Sequence, residues 1–148
     1  MVQTLHASHN GSYYLKQLRG IADVADLVRE HRLETLTSAD GRIVFWFSAH
    51  RTIRLVNRNA VKLLLSTTNF TARQVPLLLG NVVLTGRDAS GGLADLTDEH
   101  VRWLVDVELG VRDDWVLGRR FARYVREQRR RSRDEAAVRW AALLQPPS

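Results

Sequence analysis

Residues 119–133 read RRFARYVREQRRRSR and hold eight arginines against one acid, Glu127. A guanidinium offers five N–H donors in a planar fork that matches the oxygens of a phosphate. Placed on a helix at about 100° per residue, Leu117, Phe121, Tyr124, Val125 and Gln128 share one sector. Arg119, Arg123, Arg126, Arg130 and Arg133 fall almost opposite. The spacing therefore predicts a two-sided helix, with one face that docks and one that carries a cationic row. Such a row spans on the order of 20 Å, enough to meet several backbone phosphates.

Arg129, Arg130 and Arg131 are adjacent, with Arg133 close by. Like charges on neighbouring turns cost a few tenths of a kcal/mol per pair. An anion relieves that repulsion, and Glu127, Asp134 and Glu135 relieve part of it. Ser132 marks a point where the helix is expected to bend or fray. Three readings of the row stand side by side. It grips DNA or RNA, it is a solvated face with no partner, or it contacts a protein or a second copy. A membrane surface fits less well, because Tyr124 and Gln128 interrupt the apolar face.

The other reactive side chains assemble into no recognised chemistry. His6 and His9 are three apart, but a metal site normally needs three or four ligands, and no carboxylate lies near them in sequence. His50 is placed in a turn and His100 in a helix's first turn. The loop 85–92, TGRDASGG, lacks the Gly-Lys-Ser/Thr ending of a phosphate-binding P-loop. It reads as a connection, with Arg87 and Asp88 the residues to watch for an undiscovered activity. Asp95, Asp98 and Glu99, like Asp113 and Asp114, sit at expected helix starts, where the dipole favours carboxylates. With only Lys16 and Lys62, no lysine-assisted nuclease pattern forms. The expectation is a protein that is not an enzyme and holds no cofactor or metal. Trp46 either stacks an unpaired base or, as expected, lies beneath a helix, with the C-terminal helix the candidate cover.

These groups need a scaffold. Ile21, Val24, Ala25, Leu27 and Val28 form a helical stripe, with Asp23 as cap or first-turn acid. Two β-prone runs flank Ser38–Gly41, a hairpin cue, and Ile43, Phe45 and Phe47 alternate out of phase with Arg42, Val44 and Trp46. Residues 51–57, RTIRLVN, suggest a third strand or the end of the second. Asn57 or Asn59 opens a short apolar helix, residues 67–76 are a loop with a helical turn, and Val82 to Leu84 form a buried strand after a Gly80-Asn81 turn. Residues 86–96 read as loop. Thr97 caps a helix that Gly110 stops, and Asp113 or Asp114 caps another that runs to about Leu144. Residues 1–12 look weakly structured, and YYLKQL at 13–18 is a short strand or a helical turn. The predicted fold is α+β: a small antiparallel sheet of three to five strands flanked by helices, with a long basic C-terminal helix. Residues 1–110 make the core domain. Residues 111–148 are an arginine-rich helical extension that packs on the core or projects from it.

The charge supports that division. Of a net +6, residues 1–110 carry 12 bases and 11 acids, whereas residues 111–148 carry 10 bases and 5 acids. Arginine outnumbers lysine 20 to 2, which fits phosphate recognition but equally a GC-rich genome. There is no cysteine, so disulfides, thiolate metal sites and thiol nucleophiles are excluded. No signal peptide is visible, and the longest apolar runs reach about half the roughly 20 residues that span a bilayer. A cytoplasmic protein is expected, with no membrane partner.

From residue 21 to about 107 the order of features resembles a family of small uncharacterised domains from actinobacteria, their phages and plasmids. The resemblance lies in IADVADLVREH, LETL, DGRIVFWFS, VNRNAV, LLGNVVLTG and LTDEHVRWL. Asn57 to Ala60 match an Asn-to-Ala lead into a short helix, and Gly80-Asn81 with Gly86 match a β run that ends in glycine. Many members carry paired glycines before the first hairpin strand, where this chain has Arg29-Glu30. The resemblance implies a phage or mobile-element context in a GC-rich bacterial host and transfers no activity. The leading expectation is a non-enzymatic accessory protein that binds nucleic acid through Arg119, Arg123, Arg126, Arg130 and Arg133. Its rival is an interaction module for a host protein.

Overall fold

The computed structural model describes residues 1–29, 32–49 and 55–145. Two hairpins form the outer parts of one sheet. The first pairs β1 (Val2–Ala7) with β2 (Tyr13–Leu18), and the second pairs β3 (Leu33–Thr37) with β4 (Ile43–Ser48). Between the hairpins runs α1 (Ile21–Val28), and after them α2 (Arg58–Thr67). The chain then lays β5 (Val82–Arg87) between β1 and β4, which gives the order β2-β1-β5-β4-β3, antiparallel throughout. A two-residue strand, β6 (Leu93–Ala94), turns back along β5. Two helices complete the chain: α3 (Asp98–Val105) and α4 (Val111–Leu144).

The sheet is covered unequally. On one face Leu5, Ala7, Ile43, Phe45, Val82 and Leu84 join the buried side of α2, with Leu104 of α3 and Leu117 and Phe121 of α4. On the other, Val24 and Val28 of α1 close over Leu18 and Val83, with Trp46 packed at the margin. Thus β5 serves both cores by alternation, Val82 and Leu84 to one side and Val83 to the other. Gly86 is needed for a different reason. It pairs with Ile43 on one edge and Ala94 on the other, and a Cβ there would lie 2.3 Å from the Asp95 carbonyl oxygen.

Local chemistry explains the boundaries. Asn57 caps α2: its Oδ1 accepts the Ala60 N–H at 3.0 Å, while its Nδ2 donates to the Ala7 and Gly80 carbonyls at 2.8 Å each. This buried amide fastens α2 to the end of β1 and the approach to β5. Thr97 caps α3 by accepting the His100 N–H. The Asp40-Gly41 turn closes as the hairpin cue predicts, with Gly41 at φ 75° and the Asp40 carboxylate accepting from Ser38 and Arg42.

Several expectations change. The segment read as weakly structured contains β1, an interior strand of the sheet whose residues from Thr4 to Ala7 are all buried. A polar Thr4 and His6 on its second face disguise it as a loop. The loop at 86–96 contains the last residues of β5 and all of β6. The helix capped by Thr97 ends at Val105 rather than at Gly110, and Gly110 instead occupies the N-cap of α4. Asp113 and Asp114 lie inside the first turn of α4, where they face the positive end of the helix without capping it. No break occurs at Ser132, since α4 is continuous through it. Of the suggested strand at 51–57, residues 51–54 lie outside the described residues, and Val56 forms an isolated bridge with Leu79. His50 also lies outside them.

Candidate nucleic-acid interface

The 34 residues of α4 extend about 51 Å at 1.5 Å per residue. Only the first half rests on the core. Leu117 and Phe121 are buried, and Val116, Arg120, Tyr124, Val125 and Gln128 are half-buried. Arg58 of α2 lies 5.5 Å from the centre of the Phe121 ring, which adds a cation–π contact to the seam. After Gln128 every described side chain is exposed except the half-buried Ala136. The arginine helix therefore docks through its apolar sector and then leaves the body.

All five row residues stand exposed: Arg119, Arg123, Arg126, Arg130 and Arg133. They divide between two hollows. One, of about 370 Å³, is lined by Arg73, Trp115, Val116, Arg119, Arg120 and Arg123. The other, of about 320 Å³, is lined by Arg126, Arg129, Arg130 and Arg133 with Asp134. In the first hollow Arg119 lies 4.9 Å from the centre of the Trp115 ring, one turn away on the same face. Arg120 donates an N–H to the Ala72 carbonyl at 2.8 Å, which ties α4 to the turn that carries Arg73. Burial, and then the charge of Arg123, pull the Arg120 guanidinium below its ordinary value.

Trp115, Val116 and Arg73 join the hollow without belonging to the arginine row, and Arg120 belongs to the run but gains its particular role from the fold. Trp115 was readable, because it lies four residues before Arg119 and so shares its face. Arg120 falls to the side of the row, and only the position of Ala72 gives it a role. Arg73 lies more than 40 residues upstream, and nothing short of the tertiary fold brings it here.

Other candidate residues lie elsewhere in the fold. Trp46 is half-buried, its indole N–H donates to Thr85 Oγ1 at 2.9 Å, and its cover is α1 rather than the C-terminal helix. His6 is buried on β1, 5.9 Å from the Tyr14 ring, while the His9 ring meets Asn81 at 2.8 Å. Among the described residues no group of three or more His, Cys, Asp or Glu could hold a metal ion. Asp88 accepts from the Ser90 hydroxyl and from the Ser90 and Gly92 N–H groups, so it closes its own turn. Its carboxyl sits below the usual value, chiefly through the Ser90 hydroxyl. Asp95 and Asp98 accept from the Gln3 backbone and side chain at 2.7 and 2.9 Å, which joins the start of α3 to β1. Among the described residues no helix is long and apolar enough to cross a membrane.

Comparison with protein-family models, with curated proteins and with solved structures finds no match.

Proposed function

We propose that this chain is a non-enzymatic accessory protein that binds DNA or RNA through the phosphate backbone, using the arginine face of α4. The observation that carries the reading is the exposure of Arg119, Arg123, Arg126, Arg130 and Arg133 on one continuous helix whose opposite face holds Leu117 and Phe121 in the core. Contacts of this kind position a protein on nucleic acid and carry little sequence information. A phage or mobile-element setting agrees with the family resemblance and with the arginine bias.

The test is a salt titration of binding to a labelled random-sequence duplex. The logarithm of affinity should fall with slope about 0.9 per phosphate neutralised. The triple variant R123Q/R126Q/R130Q should lower that slope by about two to three. Absence of binding at low salt ends the proposal.

A second reading draws on a separate observation. Val138, Leu143 and Leu144, at the projecting end of α4, are 69%, 77% and 74% exposed. A host protein that covers them would bind in a salt-tolerant complex that survives nuclease treatment.

A further inference from the structure

We infer that the hollow between α4 and the turn bearing Arg73 seats one unpaired nucleotide, its base stacked on Trp115 and its phosphates held by the surrounding guanidiniums. The inference rests on the nucleic-acid reading and narrows it to single strands or unpaired bases.

Four arginines from two distant parts of the chain converge there: Arg73, Arg119, Arg120 and Arg123. None of the described residues lining the hollow is a carboxylate. Guanidiniums gathered together repel one another, and Arg120, whose proton affinity is lowered first by burial and then by the charge of Arg123, stands among them. A phosphate group removes that repulsion and accepts their forked N–H donors. The walls are held in advance, because Arg120 is bonded to the Ala72 carbonyl and Arg119 rests over the Trp115 ring.

An indole distinguishes this hollow from a plain anion site. Trp115 remains 59% exposed although a guanidinium lies over its ring. A large apolar ring left in water beside a cluster of cations is the arrangement with which single-strand binders stack bases. Val116 supplies a further apolar wall, and about 370 Å³ lies within the range of small-molecule sites. In a duplex the base faces lie inside the stack, so a base reaches Trp115 only from a single strand or after flipping out. The second hollow, lined among the described residues by arginines and Asp134 with no aromatic residue, offers phosphate contact alone.

The experiment compares three labelled ligands at one salt concentration by fluorescence anisotropy. They are a 15-nucleotide oligothymidylate, a fully abasic strand of equal length, and a 15-base-pair duplex. The wild-type chain should bind oligothymidylate at least about fivefold more tightly than the abasic strand, the lower bound for stacking one base. W115A should erase that ratio while leaving abasic and duplex binding in place, and W115F should retain most of it. Far-UV circular dichroism confirms that W115A keeps its helix. Equal wild-type binding of the thymidine and abasic strands, or a ratio unchanged in W115A, overturns the inference and leaves the phosphate reading standing. Failure to bind any of the three overturns both.

Discussion

Arg120 donates to the carbonyl of Ala72 across 48 positions of sequence, and this one bond joins the arginine helix to the turn that carries Arg73. It separates two roles within a run of similar residues. Arg120 is half-buried and commits one N–H to the fold, whereas its neighbour Arg119 is exposed. R120A should lower stability by about 1–2 kcal/mol, since it leaves a partly buried carbonyl without its charged donor. R119A should change it by less than about 0.5 kcal/mol. Urea denaturation of the two variants in parallel checks the difference.

At the end of α1, Arg29 adopts the left-handed conformation, φ 62° and ψ 40°, and its N–H bonds back to Ala25 and Asp26. Non-glycine residues pay roughly 1–2 kcal/mol for that geometry. R29G should therefore raise stability, by about 1 kcal/mol once the added freedom of the unfolded chain is subtracted. A rise in the urea midpoint measures it, and an unchanged or lower midpoint contradicts it.

Asn57 serves one helix cap and two carbonyls from different elements. N57A should cost about 2–4 kcal/mol, the sum of a lost cap and buried acceptors left unmet. N57D keeps the cap acceptor but turns a buried carboxylate oxygen towards the two carbonyls that Nδ2 served, so it should be at least as costly as N57A. Thermal melts of the two variants test that ranking.

His6 is buried between strands, and neither ring nitrogen has a hydrogen-bond partner among the described residues. Burial depresses its pKa, the Lys16 and His9 charges add to the effect, and the nearby Asn81 side chain partly opposes it. The unfolded chain thus takes up a proton near the ordinary value of about 6.5 while the folded one still resists it. Stability conferred by the neutral ring is complete above that pH and falls as the solution is acidified through the depressed folded pKa. The urea midpoint should decline between pH 7.5 and 5.5, and H6L should flatten that decline.

Removal of residues 129–148 should leave the core intact, because Leu117 and Phe121 are the buried anchors of α4 and both are retained. Stability should stay within about 0.5 kcal/mol of the full chain. Helical ellipticity and the salt slope of nucleic-acid binding should both drop. A large loss of stability would mean that the projecting half supports the core.

How much of this was legible follows from how local each signal is. The two faces of α4 were readable because helix period alone assigns Leu117 and Arg119 to opposite sides. The hairpin at Asp40-Gly41 and the caps Asn57 and Thr97 depend on neighbours within a few residues. By contrast, β1 is defined by its neighbours β2 and β5, and Thr4 and His6 mask its buried character. Glycine suits both a C-terminal stop and an N-cap, so its type alone does not assign Gly110 to the start of α4. The cover on Trp46 is α1 and not α4, and nothing local to the indole says which helix crosses its face. The row was visible in the sequence, but its meeting with Arg73 was not.

The place of β5 in the sheet has a consequence for biosynthesis. Both hairpins are synthesised before the strand that joins them, which ends at Arg87. At translation rates of 5–20 residues per second, Ala7 waits roughly 4–15 seconds for its partner Val82 to be made. The inward edge of β1 is unmatched for that interval and that of β4 for roughly 2–9 seconds of it, and a nascent chain in this state is open to strand exchange with its neighbours on a polysome.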